Sequence, residues 1–108
     1  MINVDGKMLL LGDVKIELEY SIRKILEFPT EIIVLVYDEI LTPDNVIAYD
    51  KTGNRLWSIN DILKIKKPTG NVDINKTDDE YLDVYSSLGI VFRVDVEEKR
   101  LIEKKYLR

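Results

Sequence analysis

The chain has 108 residues, 45% of them hydrophobic and 33% charged, with 16 basic against 20 acidic side chains and a formal charge of −4. That length suits one domain, residues 1–108, around one main core, and the composition is too apolar for disorder without offering the ~20-residue apolar run of a membrane span. Cysteine and histidine are both absent, which removes disulfides, thiolate ligands, cysteine nucleophiles and all imidazole-dependent acid–base or metal chemistry.

In chain order, Asp5-Gly6 lies between two short apolar arms, the strongest short-range signal for a hairpin. Val14, Ile16, Leu18, Tyr20 and Ile22 then alternate with Lys15, Glu17, Glu19 and Ser21, a strand pattern. Residues 22–28 are read as a further strand, because Pro29 leaves little room for a helix. The unbroken run Ile32-Ile33-Val34-Leu35-Val36-Tyr37 predicts a central strand buried on both faces. After a loop over residues 38–44, arms at 45–49 and 55–59 flank Asp50-Lys51-Thr52-Gly53-Asn54, where Gly53 supplies a left-handed turn residue with a bulge. Residues 60–67 are ambiguous between helix and strand. Residues 68–78, rich in Gly, Asn, Asp, Thr and Pro, are expected to form a long loop. Over 77–89 a helix started by Thr77 and Glu80 at capping-box spacing competes with a strand alternating Leu82, Val84, Ser86 and Leu88. Residues 90–94 and 100–106 form a last hairpin, whose outer arm carries the lysines that blunt an exposed sheet edge.

These elements predict a mostly all-β fold, an antiparallel meander of hairpins closing as a small sandwich or open barrel with room for one short helix. Each hairpin also leaves an apolar face that another layer or another chain must cover. The hairpins echo one another at an interval of 45 residues, the spacing of Asp5, Asp50 and Asp95, which lies in the range of about 40–50 residues typical of propeller blades. The segment Asn45-Val46-Ile47-Ala48-Tyr49-Asp50-Lys51-Thr52-Gly53-Asn54-Arg55-Leu56-Trp57 resembles a blade of quinoprotein-like propellers, in which the tryptophan packs between blades. The wider strand order resembles small bacterial mostly-β proteins of the immunity kind, and that resemblance implies a protein partner and no catalytic motif.

For a metal site, Asp73, Asn75, Asp78, Asp79 and Glu80 gather oxygen donors, but Asp78 stands where a calcium loop needs glycine and Val84 where it needs glutamate. The cluster therefore reads as a solvated acidic loop, and no metal or cofactor is expected. Asn75-Lys76-Thr77 matches a glycosylation acceptor, set aside because residues 1–7 carry no secretory pattern. Trp57 shares a strand face with Ile59 and is expected to be buried. Tyr20, Tyr37, Tyr49, Tyr81, Tyr85 and Tyr106 invite an interface reading. The acidic balance argues against nucleic acid, although Lys64, Lys66 and Lys67 form a local basic patch.

The expected function is that of a non-catalytic, cytoplasmic protein-binding module, of the immunity or inhibitor kind, in which Asp73, Asp78, Asp79, Glu80 and Tyr81 meet a basic toxin. Two alternatives are a small-molecule or carbohydrate-binding β domain with tyrosines and Trp57 at its surface, and a structural homodimer paired through apolar hairpin faces.

Overall fold

The computed structural model describes residues 2–37 and 43–107, and among them lie eleven strands in three antiparallel sheets and one short helix. The first sheet is the meander β1 (Ile2–Asp5), β2 (Met8–Leu11) and β3 (Val14–Glu17). Its first turn is shifted by one residue from the sequence expectation. Asp5 pairs with Met8, so Gly6-Lys7 is the two-residue loop, and Gly6 at φ +60° takes the position that needs a left-handed backbone. Gly12-Asp13 repeats the device between Leu11 and Val14, with Gly12 at φ +63°.

The second sheet runs β4 (Ile22–Glu27), β5 (Glu31–Val36), β6 (Val46–Asp50) and β7 (Arg55–Ser58), each strand beside its sequence neighbour. The helix α1 (Ile59–Leu63) leads out of it. The third sheet repeats the plan with β8 (Asn71–Lys76), β9 (Tyr81–Ser86), β10 (Ile90–Asp95) and β11 (Arg100–Tyr106).

The second sheet is the middle layer. All six residues of β5 are buried. Ile33 and Leu35 pack with Trp57 and Ile59 against Ile74, Leu82, Val84 and Val94 of the third sheet. Ile32, Val34 and Val36 pack on the other side against Leu9, Leu11 and Leu18 from the first. The period-two geometry of a strand sends alternate side chains to opposite faces, so an unbroken apolar run is what a strand between two layers requires. Trp57 is buried as expected, and the covering layers for the middle sheet come from this chain itself.

Polar contacts fix how the middle and third sheets meet. Asn45 is fully buried; its amide donates to the carbonyls of Val36 and Asn71, both at 2.9 Å, and its oxygen accepts from the Asn71 backbone N–H at 2.9 Å and side-chain amide at 3.0 Å. At the opposite corner the edge strands β4 and β8 are clamped by lysines. Lys24 donates to the Ile74 carbonyl at 2.6 Å and pairs with Asp73 at 3.1 Å. Lys76 donates to the Glu27 carbonyl at 2.9 Å and lies 5.0 Å from the centre of the Phe28 ring.

Several expectations are corrected. The alternation from Val14 to Ile22 is not one strand: β3 ends at Glu17, and the chain crosses between sheets, with the Leu18 and Ile22 N–H groups donating to the carbonyls of Lys7 and Gly6. The expected long loop over 68–78 contains β8, whose bulge between Asn71 and Asp73 fits its polar residues to a sheet edge. The helix reading over 77–89 gives way to the strand reading, realised as β9. The short helix falls at Ile59–Leu63, where Asp61 accepts the Ser58 N–H at 2.9 Å. Of the loop read over 38–44, residues 38–42 lie outside the described residues.

The hairpin at 50–54 forms as expected, with Gly53 at φ +98° and a bulge between Ala48 and Tyr49. A Cβ on Gly53 would stand 2.7 Å from Val14 of the first sheet, whereas one on Gly6 meets nothing within 4 Å. Both Gly53→Ala and Gly6→Ala incur backbone strain of about 1 kcal/mol. Urea denaturation should find Gly53→Ala the more destabilising by roughly 1 kcal/mol or more, because the Val14 contact must also give; equal losses would contradict the close approach. Asn45→Ala should cost about 3 kcal/mol in the same assay, since it leaves buried groups of Val36 and Asn71 unpaired, and a loss under about 1 kcal/mol would contradict the bridging role.

Candidate functional site

The acidic residues singled out in the sequence are brought only partly together, and Asp73, Asp78 and Asp79 make contacts within the fold. Asp78 opens the β8–β9 turn and accepts the N–H groups of Glu80 and Tyr81 at 2.8 and 3.1 Å. Asp79 pairs with Lys76 at 3.1 Å. Asp73 stands further down β8 against Lys24; partial burial works against its charge, but the Lys24 ammonium and the Ile74 N–H hold its carboxyl below the usual range. Tyr81 begins β9 half-buried, and Glu80 is exposed. No cluster of three or more metal-ligating side chains occurs among the described residues.

An open groove of about 240 Å³ lies where α1 crosses the inner face of β10 and β11. Its position follows from the short β7. After Ser58 the chain turns into α1 instead of extending the middle sheet, so the far end of the third sheet keeps only a five-residue helix and the segment behind it as cover. Asp44 fixes that helix by accepting the Ser58 hydroxyl at 2.6 Å and the Asn60 N–H at 2.8 Å. Asn60 then clips the exit, exchanging bonds with the backbone of Ile65 at 2.9 and 3.1 Å. Ile59, Leu63, Ile90, Phe92 and Leu101 give the groove an apolar lining, and Lys67 and Lys104 are its lysines.

Beside the groove runs β11, the outermost strand of its sheet, with all seven residues exposed. Leu88, Leu101, Tyr106 and Leu107 are exposed apolar side chains around this end, Leu88 and Tyr106 the most so at 68% and 69%. The sequence marked β11 as an edge through its lysines and marked Lys67 as part of a basic patch. It did not join the two, because the contact between α1 and β11 spans some forty residues of chain and rests on α1 replacing a strand. Leu88 beside Gly89, next to no apolar partner in sequence, was the available signal.

A second hollow of about 410 Å³ opens between the first and middle sheets, with Tyr20, Tyr49, Glu17, Glu19, Asp44 and Arg55 in its lining. Arg55 is engaged with the Ser58 hydroxyl at 2.9 Å and with Asp61 at 3.4 Å. Burial pushes the Tyr49 phenol above its ordinary value. Trp57 is 2% exposed and reaches no surface, which removes the version of a sugar-binding face that placed it at the rim.

The shifted titratable groups are structural in their surroundings. Asp50 is held down at about 2 by the Asn54 and Thr52 groups it accepts from in its own turn. The Ser58 N–H lowers Asp61, and Arg93 is raised by its two bonds, at 2.8 and 3.0 Å, to the buried Asp83. Glu31 is the exception. It is 6% exposed, Glu31 Oε1 and Trp57 Nε1 both lack a hydrogen-bond partner among the described residues, and burial raises its carboxyl while the Lys99 charge pulls the other way.

Fold and site together define a small three-sheet antiparallel domain whose longest free edge is β11. The chain belongs to the family described as a domain of unknown function, DUF7957, whose model matches residues 1–106. No curated protein matches it, and no finding links it to immunity proteins or to propeller blades.

Glu31 yields a pH prediction. Because its folded-state pKa is raised, its favourable contribution is present below the unfolded value and is lost as pH rises through the folded one. Glu31→Gln should therefore unfold at higher urea than the wild type at pH 7, with the difference shrinking toward pH 4. A variant less stable than wild type at pH 7, or a difference that does not depend on pH, would contradict the burial of an uncompensated carboxylate.

Proposed function

We propose that this chain is a non-catalytic protein-binding module that holds an extended segment of a partner protein along β11. The observation that carries the reading is the coincidence of a seven-residue exposed edge strand with an apolar groove on the face beside it. A strand added to an open edge gains main-chain hydrogen bonds, and every second side chain of the added strand points to the groove side. The groove is smaller than the 300–1,000 Å³ typical of small-molecule sites and suits one large side chain. Its polar groups support holding over reacting, since both Asp44 oxygens and the Ser86 hydroxyl already accept bonds within the fold.

An inhibitor or immunity role, in which the captured segment belongs to a toxin, is one biological form of this reading. A cytoplasmic setting is part of this reading; without cysteine the fold depends on no disulfide and tolerates that compartment's reducing poise. A small-molecule reading is favoured by one observation, the meeting of Tyr20 and Tyr49 in the larger hollow.

Selection of a random heptapeptide library on the immobilised protein, followed by amide shift mapping of the enriched peptides, tests the proposal. Enriched peptides should move the β11 and α1 resonances, and Leu101→Arg should weaken them by about tenfold or more, as expected for losing one buried leucine contact. Peptides that map to the 77–80 turn, or a selection with no enrichment, would contradict it. Shifts confined to Tyr20 and Tyr49 on screening small molecules would move the assignment to the other hollow.

A further inference from the structure

We infer that the segment captured by β11 is acidic, an extended stretch in which one bulky apolar residue is flanked by carboxylates. The inference rests on the edge capture proposed above and adds its chemical class. It reverses the expectation drawn from net charge, under which an acidic protein meets a basic partner.

The charges that line the groove set the sign of what it can hold. The chain carries a formal −4, but the groove does not share that sign. Asp44 accepts the Ser58 hydroxyl and the Asn60 N–H, neutral donors that hold its single negative charge at the start of α1. Lys67 and Lys104, which also line the groove, form no ion pair among the described residues. Lys64 and Lys66 precede Lys67 on an exposed segment, whereas Lys105 and Glu103 lie together on the opposite face of β11. The acidic turn at 77–80, in contrast, is partly neutralised by Lys76 and caps its own backbone. Two lysines against the single Asp44 carboxylate leave the groove beside β11 net positive.

The same residues argue against a second copy as the occupant. Two β11 strands related by a two-fold axis pair antiparallel, and the residue on the axis faces itself. Centred on Glu103, Lys104 or Lys105, such a pair opposes like charges directly; centred on Ile102 it sets Arg100 against Lys104; centred on Leu101 it opposes no like charges but pairs only residues 100–102 of the strand. Lysines on an edge deter self-pairing, and a strand of opposite sign escapes that penalty. A leucine-sized side chain of the incoming strand would enter between Leu63, Phe92 and Leu101, with residues two before and two after it on the same side and nearest the lysines.

Three end-blocked fluorescent nonapeptides test this: threonine-rich, with a central leucine flanked two residues away on each side by glutamate; the same with lysine for glutamate; and the acidic one with serine for leucine. Anisotropy should show the acidic leucine peptide binding at least about fivefold tighter than the lysine peptide at low ionic strength, as two exposed ion pairs allow. The preference should fade near about 0.5 M salt and invert in the K67E/K104E variant, while the serine peptide binds weakly. Equal affinity of the charged peptides, with shifts on β11, would overturn the acidic class and leave edge capture standing. No β11 shifts with any peptide would overturn both. A dimeric mass by light scattering, with β11 resonances that move on dilution, would replace the acidic segment by a second copy and overturn the inference.

Discussion

The fold depends on burying β5 from both sides. A strand reading Glu31-Ile32-Ile33-Val34-Leu35-Val36 cannot sit with one face in water, because its two faces are equally apolar above Glu31. Each of its five aliphatic side chains is worth about 1.5–3 kcal/mol when removed from water, so the strand contributes on the order of 10 kcal/mol, comparable with the whole net stability of a domain this size. Satisfying it needs a layer on each side, and the chain supplies both, as a three-stranded meander before β5 and a four-stranded meander after it. The cost is visible at the ends of the same layer. Glu31 is buried with an unpaired oxygen, and Asn45 must recruit Asn71 from the third sheet to satisfy its buried amide.

What could be read from the sequence is what local chemistry dictates. The β-branched run of β5, the Asp-Gly and Gly53 turns and the lysine-bearing outer arm each have a cause within a few residues, and each is found where it was expected or one residue away. What could not be read depends on distant partners. β8 is written in Asn71, Asp73 and Asn75, residues that favour turns; it is a strand because Asn45 meets Asn71 and because Lys24 and Lys76 tie it to β4. Thr77 and Glu80 stand at capping spacing, yet Asp78 takes the nearby N–H groups and makes a tight turn into β9. The acids expected to meet a partner are distinguished in sequence, but the lysine opposite Asp73 lies 49 positions earlier, beyond any local pattern.

The interval of 45 residues has a structural counterpart. The bulges of the two later hairpins fall at Ala48/Tyr49 and Arg93/Val94, and Asp50 and Asp95 each accept N–H groups of their own turns. The hairpins are built alike and end differently. β7 stops after four residues and runs into α1, whereas β11 continues for seven with its outer side open. Among the edge strands, β1, β3 and β7 have four residues each, and β4 and β8 are clamped to one another, so β11 is the longest edge left free. In the proposed capture, the charge and the groove beside it would make that edge selective.

Native-state hydrogen exchange of the isolated protein measures both halves of this account at once. The amides of β5 should exchange only through global unfolding and be the slowest in the chain, while alternate amides of β11, those not bonded to β10, should exchange near the rate of exposed backbone. Uniform protection along β11, or exchange from β5 at a lower free energy than the surrounding strands, would contradict a doubly covered core with β11 as an open edge.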